Sequence, residues 1–95
     1  MRDVALTFTN TTAASLDESY VMPRRPNDGQ IDLQLVISAS ANVTIYGRLT
    51  PDQPWLALSA SAYTASAMMQ RPWVPLLRVV VSGNTGTVSL VAWAV

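Results

Sequence analysis

The side chains that most often carry catalysis are missing: the 95 residues include no His, no Cys and no Lys. There is accordingly no imidazole base, no thiolate nucleophile or soft metal ligand, and no amine for Schiff-base or phosphate chemistry. The carboxylates are Asp3, Asp17, Glu18, Asp28, Asp32 and Asp52. Hydrolysis by paired carboxylates needs two of them to face each other at about 5–10 Å. Asp28 and Asp52 lie in turn-forming segments, where Asp caps backbone donors, and Asp32 falls on the polar side of an alternating stretch. Asp17, Glu18 and Asp28 could offer oxygens to calcium, but their spacing matches no calcium loop, and that ion takes six to eight donors. Arg24 and Arg25, between prolines, read as a solvated loop. The expectation is a non-enzymatic chain without cofactor or metal, acting through a surface.

The aromatic residues are the candidates for recognition. Flat rings stack on the apolar face of a pyranose and keep a polar edge for hydrogen bonding. Tyr46, Trp55 and Trp73 would serve a carbohydrate-binding module in this way. Trp55 and Trp73 each adjoin a proline turn and are expected nearer the surface than Trp93, which lies inside an apolar stretch.

The elements that must position these residues are strands. Val4, Leu6 and Phe8 alternate with smaller or polar residues, the period of two of a half-buried strand. A second short strand is expected at Tyr20–Met22, before the breaker Pro23-Arg24-Arg25-Pro26-Asn27-Asp28-Gly29. Ile31, Leu33, Leu35 and Ile37 alternate with Asp32, Gln34 and Ser38, Val36 being the exception. Val43, Ile45, Gly47 and Leu49 resume the pattern, and a hairpin between these two stretches is expected. Trp55–Leu58 begins another strand. Between Ser59 and Met69 a helical stripe of Leu58, Ala62, Ala65 and Met69 competes with strand plus loop, which the Ser, Thr and Tyr content favours. Leu76–Val81 is apolar on both sides except at Arg78, as in a strand covered on two faces. After the turn at Ser82–Gly86, Thr87–Val95 is expected to return as its hairpin partner. The pattern predicts one all-β domain over residues 1–95, an antiparallel β-sandwich or jelly roll of about seven to eight short strands.

Composition bears on what such a sandwich does. Hydrophobic residues make up 49% and charged residues 13%, the latter about half the usual share of roughly 25%. A domain of this size without disulfides is short of core, and oligomerisation supplies more. The two-sided strands put Leu76, Arg78, Val80, Val91 and Trp93 forward as an oligomer or docking interface. Arg78 would give that contact direction, and reversing its charge should weaken assembly without unfolding the chain. The net charge of +0 gives no basic field for a nucleic-acid backbone. No apolar stretch approaches the ~20 residues that span a bilayer, and the N-terminus lacks a signal-peptide core, so neither nucleic acid nor membrane is an expected partner. The glycosylation patterns at Asn10 and Asn42 matter only in a secretory pathway.

Thr44-Ile45-Tyr46-Gly47-Arg48-Leu49, Pro54-Trp55-Leu56-Ala57-Leu58 and Leu76-Leu77-Arg78-Val79-Val80-Val81-Ser82-Gly83 resemble small phage virion proteins of β-sandwich type. The resemblance spans residues 30–95 and is one of pattern. It implies a structural protein made in the host cytoplasm and located in the virion, as a head decoration, head fibre or spike, or tail part. Its implied partners are further copies of itself and other virion proteins.

Overall fold

The computed structural model describes residues 3–22, 29–59 and 61–94, with side chains over 11–22, 29–59 and 61–92. Eight strands are formed among them: β1 (Asp3–Thr11), β2 (Leu16–Val21), β3 (Gln30–Ile37), β4 (Asn42–Arg48), β5 (Leu56–Ala57), β6 (Ala67–Pro72), β7 (Leu76–Ser82) and β8 (Val88–Ala94). They make two four-stranded sheets, β1-β8-β3-β6 and β2-β7-β4-β5, with every pairing antiparallel. The pairings β1 with β8, β2 with β7, β3 with β6 and β4 with β5 nest inside one another. The chain is thus one long hairpin rolled over so that β3 also meets β8 and β4 meets β7. This is the order of a jelly roll.

The core follows from alternation. Ile31, Leu33 and Leu35 of β3, with Val88, Leu90 and Ala92 of β8, face Val43 and Ile45 of β4 and Leu77, Val79 and Val81 of β7, all buried. These are aliphatic and largely β-branched side chains, which suit a pleated, close-packed layer. Tyr20, Tyr63, Trp73 and Val74 close the margins, half-buried against that cluster.

Both expected hairpins are corrected by the topology. β3 and β4 belong to different sheets, as do β7 and β8, so the turns after Ile37 and after Ser82 cross from sheet to sheet. Alternating residues satisfy either arrangement, because a strand's inward face is the same whether its successor lies beside it or opposite it. Side-chain contacts hold these crossings at one end of the sandwich. Asn84, only 7% exposed, donates through Nδ2 to the carbonyls of Thr11 and Ala13 and accepts from the Gly86 amide. The Thr87 amide donates to Ser38 Oγ, and the Thr85 amide to the Ser40 carbonyl. Gly83, at a φ of 62°, supplies the left-handed step that bends the turn.

Two strands differ in extent from expectation. β2 starts at Leu16, because polar Asp17-Glu18-Ser19 suits an edge strand facing water. β6 runs through Gln70 and Arg71 to Pro72, and proline is tolerated at the end of an edge strand. No helix forms between Ser59 and Met69 among the described residues; Tyr63 instead bridges to Val43. The expected breaker at Pro23–Asp28 lies outside the described residues.

Candidate functional site

Because Leu77, Val79 and Val81 point into the core, the alternate residues Leu76, Arg78 and Val80 of β7 point outward. Arg78 stands on β7, an inner strand, at the outer face of β2-β7-β4-β5, with Ser19 on one side and Tyr46 on the other in the same row. Its Nε and Nη2 donate to the two carboxylate oxygens of Asp17, at 2.8 and 2.6 Å. Asp17 pairs with Val80 in the ladder, so the ion pair runs diagonally between β2 and β7. Side-chain exposures of 31% for Arg78 and 52% for Asp17 leave the pair accessible to a ligand. The hydrogen bonds from Arg78, and then its charge, hold the Asp17 carboxyl below its ordinary value of 3.8, and Asp17 in turn raises the Arg78 pKa. A carboxylate held ionised in this way is suited to accepting hydrogen bonds rather than to proton transfer near neutrality.

Two rings flank the guanidinium. Arg78 Cζ lies 5.6 Å from the centroid of Tyr46 and 6.0 Å from that of Trp55. Arg48 stacks more closely on Trp55, at 4.1 Å, within the range of cation–π attraction. Thr44 and Ser19 fall on the same side of the sheet. Leu76 and Val80 are half-buried within the single chain, so their two-sided pattern is partly satisfied without a neighbour, while Val21 at the margin is 80% exposed.

The other expected interface residues lie on the opposite side of the molecule. On β8 the buried Val88, Leu90 and Ala92 send Val91 to the outer face of β1-β8-β3-β6. There it pairs with Gln34 of β3, which in turn pairs with Met68 of β6. Met68 is 72% exposed and Val36 42%. Asp32 accepts from Gln70 Nε2 across the β3–β6 pair. Trp93 pairs with Asp32 in the ladder, and its side chain lies outside the described residues. Of the five expected interface residues, the four with described side chains are therefore divided: Leu76, Arg78 and Val80 on one face, and Val91 on the other.

The expected ring trio is divided as well. Tyr46 and Trp55 meet around Arg78, whereas Trp73 packs on the core margin with its amide bonded to the Gly29 carbonyl and its indole Nε1 buried without a partner. Trp73 is half-buried, as Trp55 is, but it stands apart from the Arg78 cluster. Asp17 is the residue that sequence reasoning missed here. Its partner is 61 positions away, and only the pairing of β2 with β7 would have revealed it. Asp52 keeps the expected turn role, accepting from the Thr50 hydroxyl. Among the described residues no group of three or more His, Cys, Asp or Glu side chains could hold a metal ion. An apolar groove of about 510 Å³ opens beside Arg48, lined by Gly47, Leu49, Pro54, Leu56, Leu58 and Val74.

The chain matches no family model, no curated protein and no solved structure. What distinguishes the molecule is therefore its own geometry: a jelly roll with an apolar and amide-bearing outer face on one sheet and an Arg–Asp–aromatic cluster on the other.

Proposed function

We propose that this chain is a non-enzymatic structural protein of a phage or phage-like virion, made in the host cytoplasm. It works by self-association and by docking on other virion proteins through the outer face of β1-β8-β3-β6. The observation that carries this reading is the exposure of Met68 and Val36 on that face, at 72% and 42%, on the neighbouring strands β6 and β3, with Val91 on β8 at the other side of β3. Large apolar side chains grouped on one face mark a contact surface more than scattered ones do. Trp93 on the same strand belongs to this region of the ladder.

The sheet edges favour contact through faces. β1 carries two register shifts, β2 presents Asp17 and Glu18, β5 is two residues long, and β6 ends in Pro72. Bulges, charges, shortness and proline all oppose the addition of a foreign strand. Support also comes from the architecture, which recurs in viral capsid domains, and from the pattern resemblance over residues 30–95. Leu76, Arg78 and Val80 lie on the opposite face and are not part of this contact.

The test is solution mass by light scattering after size exclusion, over a dilution series. A discrete oligomer that becomes monomeric in Val36→Glu/Met68→Glu, and persists in Arg78→Glu, is the expected result. A monomer at every concentration removes self-association. An oligomer broken by Arg78→Glu but not by the double variant moves the contact to the other sheet.

A further inference from the structure

We infer that the outer face of β2-β7-β4-β5 binds a neutral saccharide, held by Asp17 and Arg78 through two neighbouring hydroxyls and bounded by Tyr46 and Trp55. The inference rests on this face alone and stands whether or not the opposite face docks in a particle.

The hydrogen-bonding capacity is specific. Each Asp17 oxygen accepts one bond from Arg78 and retains acceptor capacity, since a carboxylate offers about four lone-pair sites. Arg78 Nη1 makes no hydrogen bond among the described residues. An acceptor and a donor are therefore held within one ion pair whose side chains are 31% and 52% exposed. A pair of adjacent ring hydroxyls meets both needs, one donating to Asp17 and the other accepting from Arg78. Thr44 and Ser19 add hydroxyls on the same face.

Charge selects the class of ligand. The exposed carboxylate of Asp17 repels an anion, and Arg78 repels a cation, whereas a polyol meets no like charge. Arg48, the other cation nearby, is occupied by the Trp55 ring and the Gln53 carbonyl. Tyr46, and the side of Trp55 that Arg48 does not cover, add what a simple polyol would not use, an apolar surface for the C–H face of a pyranose. The cluster is also ordered before any ligand arrives, because the two-point ion pair and the ring contacts restrain side chains that binding would otherwise have to immobilise.

The test is saturation-transfer NMR and calorimetry on the full chain with maltotetraose, cellotetraose, mannotriose and N-acetyllactosamine. Sialyllactose and a chitosan oligomer serve as charged comparisons. The expected result is binding of at least one neutral probe with a Kd of about 1 mM or tighter, with resonance shifts at Tyr46 and Trp55. Asp17→Asn, Tyr46→Ala and Arg78→Lys should each weaken it tenfold or more, the last because an ammonium cannot reproduce the guanidinium fork. Met68→Glu, on the opposite face, should leave it unchanged. The inference is overturned if no neutral probe binds, if binding survives Asp17→Asn, or if the shifts map away from Tyr46 and Trp55. Burial of this face by a second copy or another protein that excludes every probe overturns it too. The resonance map needs no variant, so a substitution that unfolds the chain does not spare the proposal.

Discussion

Gly47 lies on the inner side of β4, where an added methyl carbon would stand 2.8 Å from Val74 Cγ2 and 3.2 Å from both Val74 Cγ1 and Leu58 Cδ2. Both methyls of Val74 would be crowded at once, and Leu58 closes the other side. Gly47→Ala should therefore destabilise the fold by about 1–3 kcal/mol, the range for overpacking, read as a lower urea midpoint at unchanged slope. Asn84 serves a different purpose, tying the Ser82–Thr87 crossing to the end of β1. Asn84→Ala removes its bonds to Thr11, Ala13 and Gly86 and should cost about 1–3 kcal/mol in the same assay, as expected when buried polar groups lose their partners. In sequence it reads only as a turn former, because its carbonyl partners are 73 and 71 positions away. Asp17 is the titration test. Its folded pKa is depressed, so its stabilising contribution is complete above the ordinary carboxylate range and disappears as pH falls through the folded value. A carboxyl titration by NMR should give a midpoint below 3.8, and Arg78→Gln should return it toward that value.

Strands and turns were legible in the sequence where one side chain in two is apolar. The Ile31–Ile37 and Leu76–Val81 stretches fall within β3 and β7, and their odd positions are the buried ones, save Ile37, which is half-buried at the strand end. Partner choice was not legible, because alternation names an inward face and says nothing of which strand lies beside it. Ser38–Ala41 contains no glycine, which the favoured two-residue hairpin turns generally require, and that absence was the available sign against a β3–β4 hairpin. The division of Arg78 from Val91 has the same origin, since both project outward from strands of different sheets. β8 lies between β1 and β3, so its buried residues support both neighbours. Leu90→Ala, at a fully buried position, should lower unfolding free energy by about 2–5 kcal/mol, measured by chemical denaturation. The same truncation at exposed Leu56 on the two-residue β5 should change stability by about 0.5 kcal/mol or less.

The whole molecule is a thin slab, 36 × 33 × 20 Å, with two broad faces of opposite character. The class of fold was readable from periodicity and turn spacing, while the distribution of the candidate contact residues between the faces required the three-dimensional order of the strands. On the proposed readings, a subunit docked by one face would keep the other available, so assembly and saccharide recognition would make separable demands on the same chain. The nested pairing also fixes when the molecule can become itself. Among the described residues, β4 and β5 are the only strands that pair with their immediate successor or predecessor in the chain, and β1 pairs with β8 alone. A nascent chain can form the innermost hairpin early, but its first strand has no partner until the last has been synthesised. Such a topology concentrates loop-closure cost in late steps and belongs with folds that form in milliseconds to seconds rather than microseconds. Stopped-flow refolding from urea should show that timescale, and a chain ending before Val88 should lack cooperative unfolding altogether, because its first strand would have no ladder to join and its third would lose one of two.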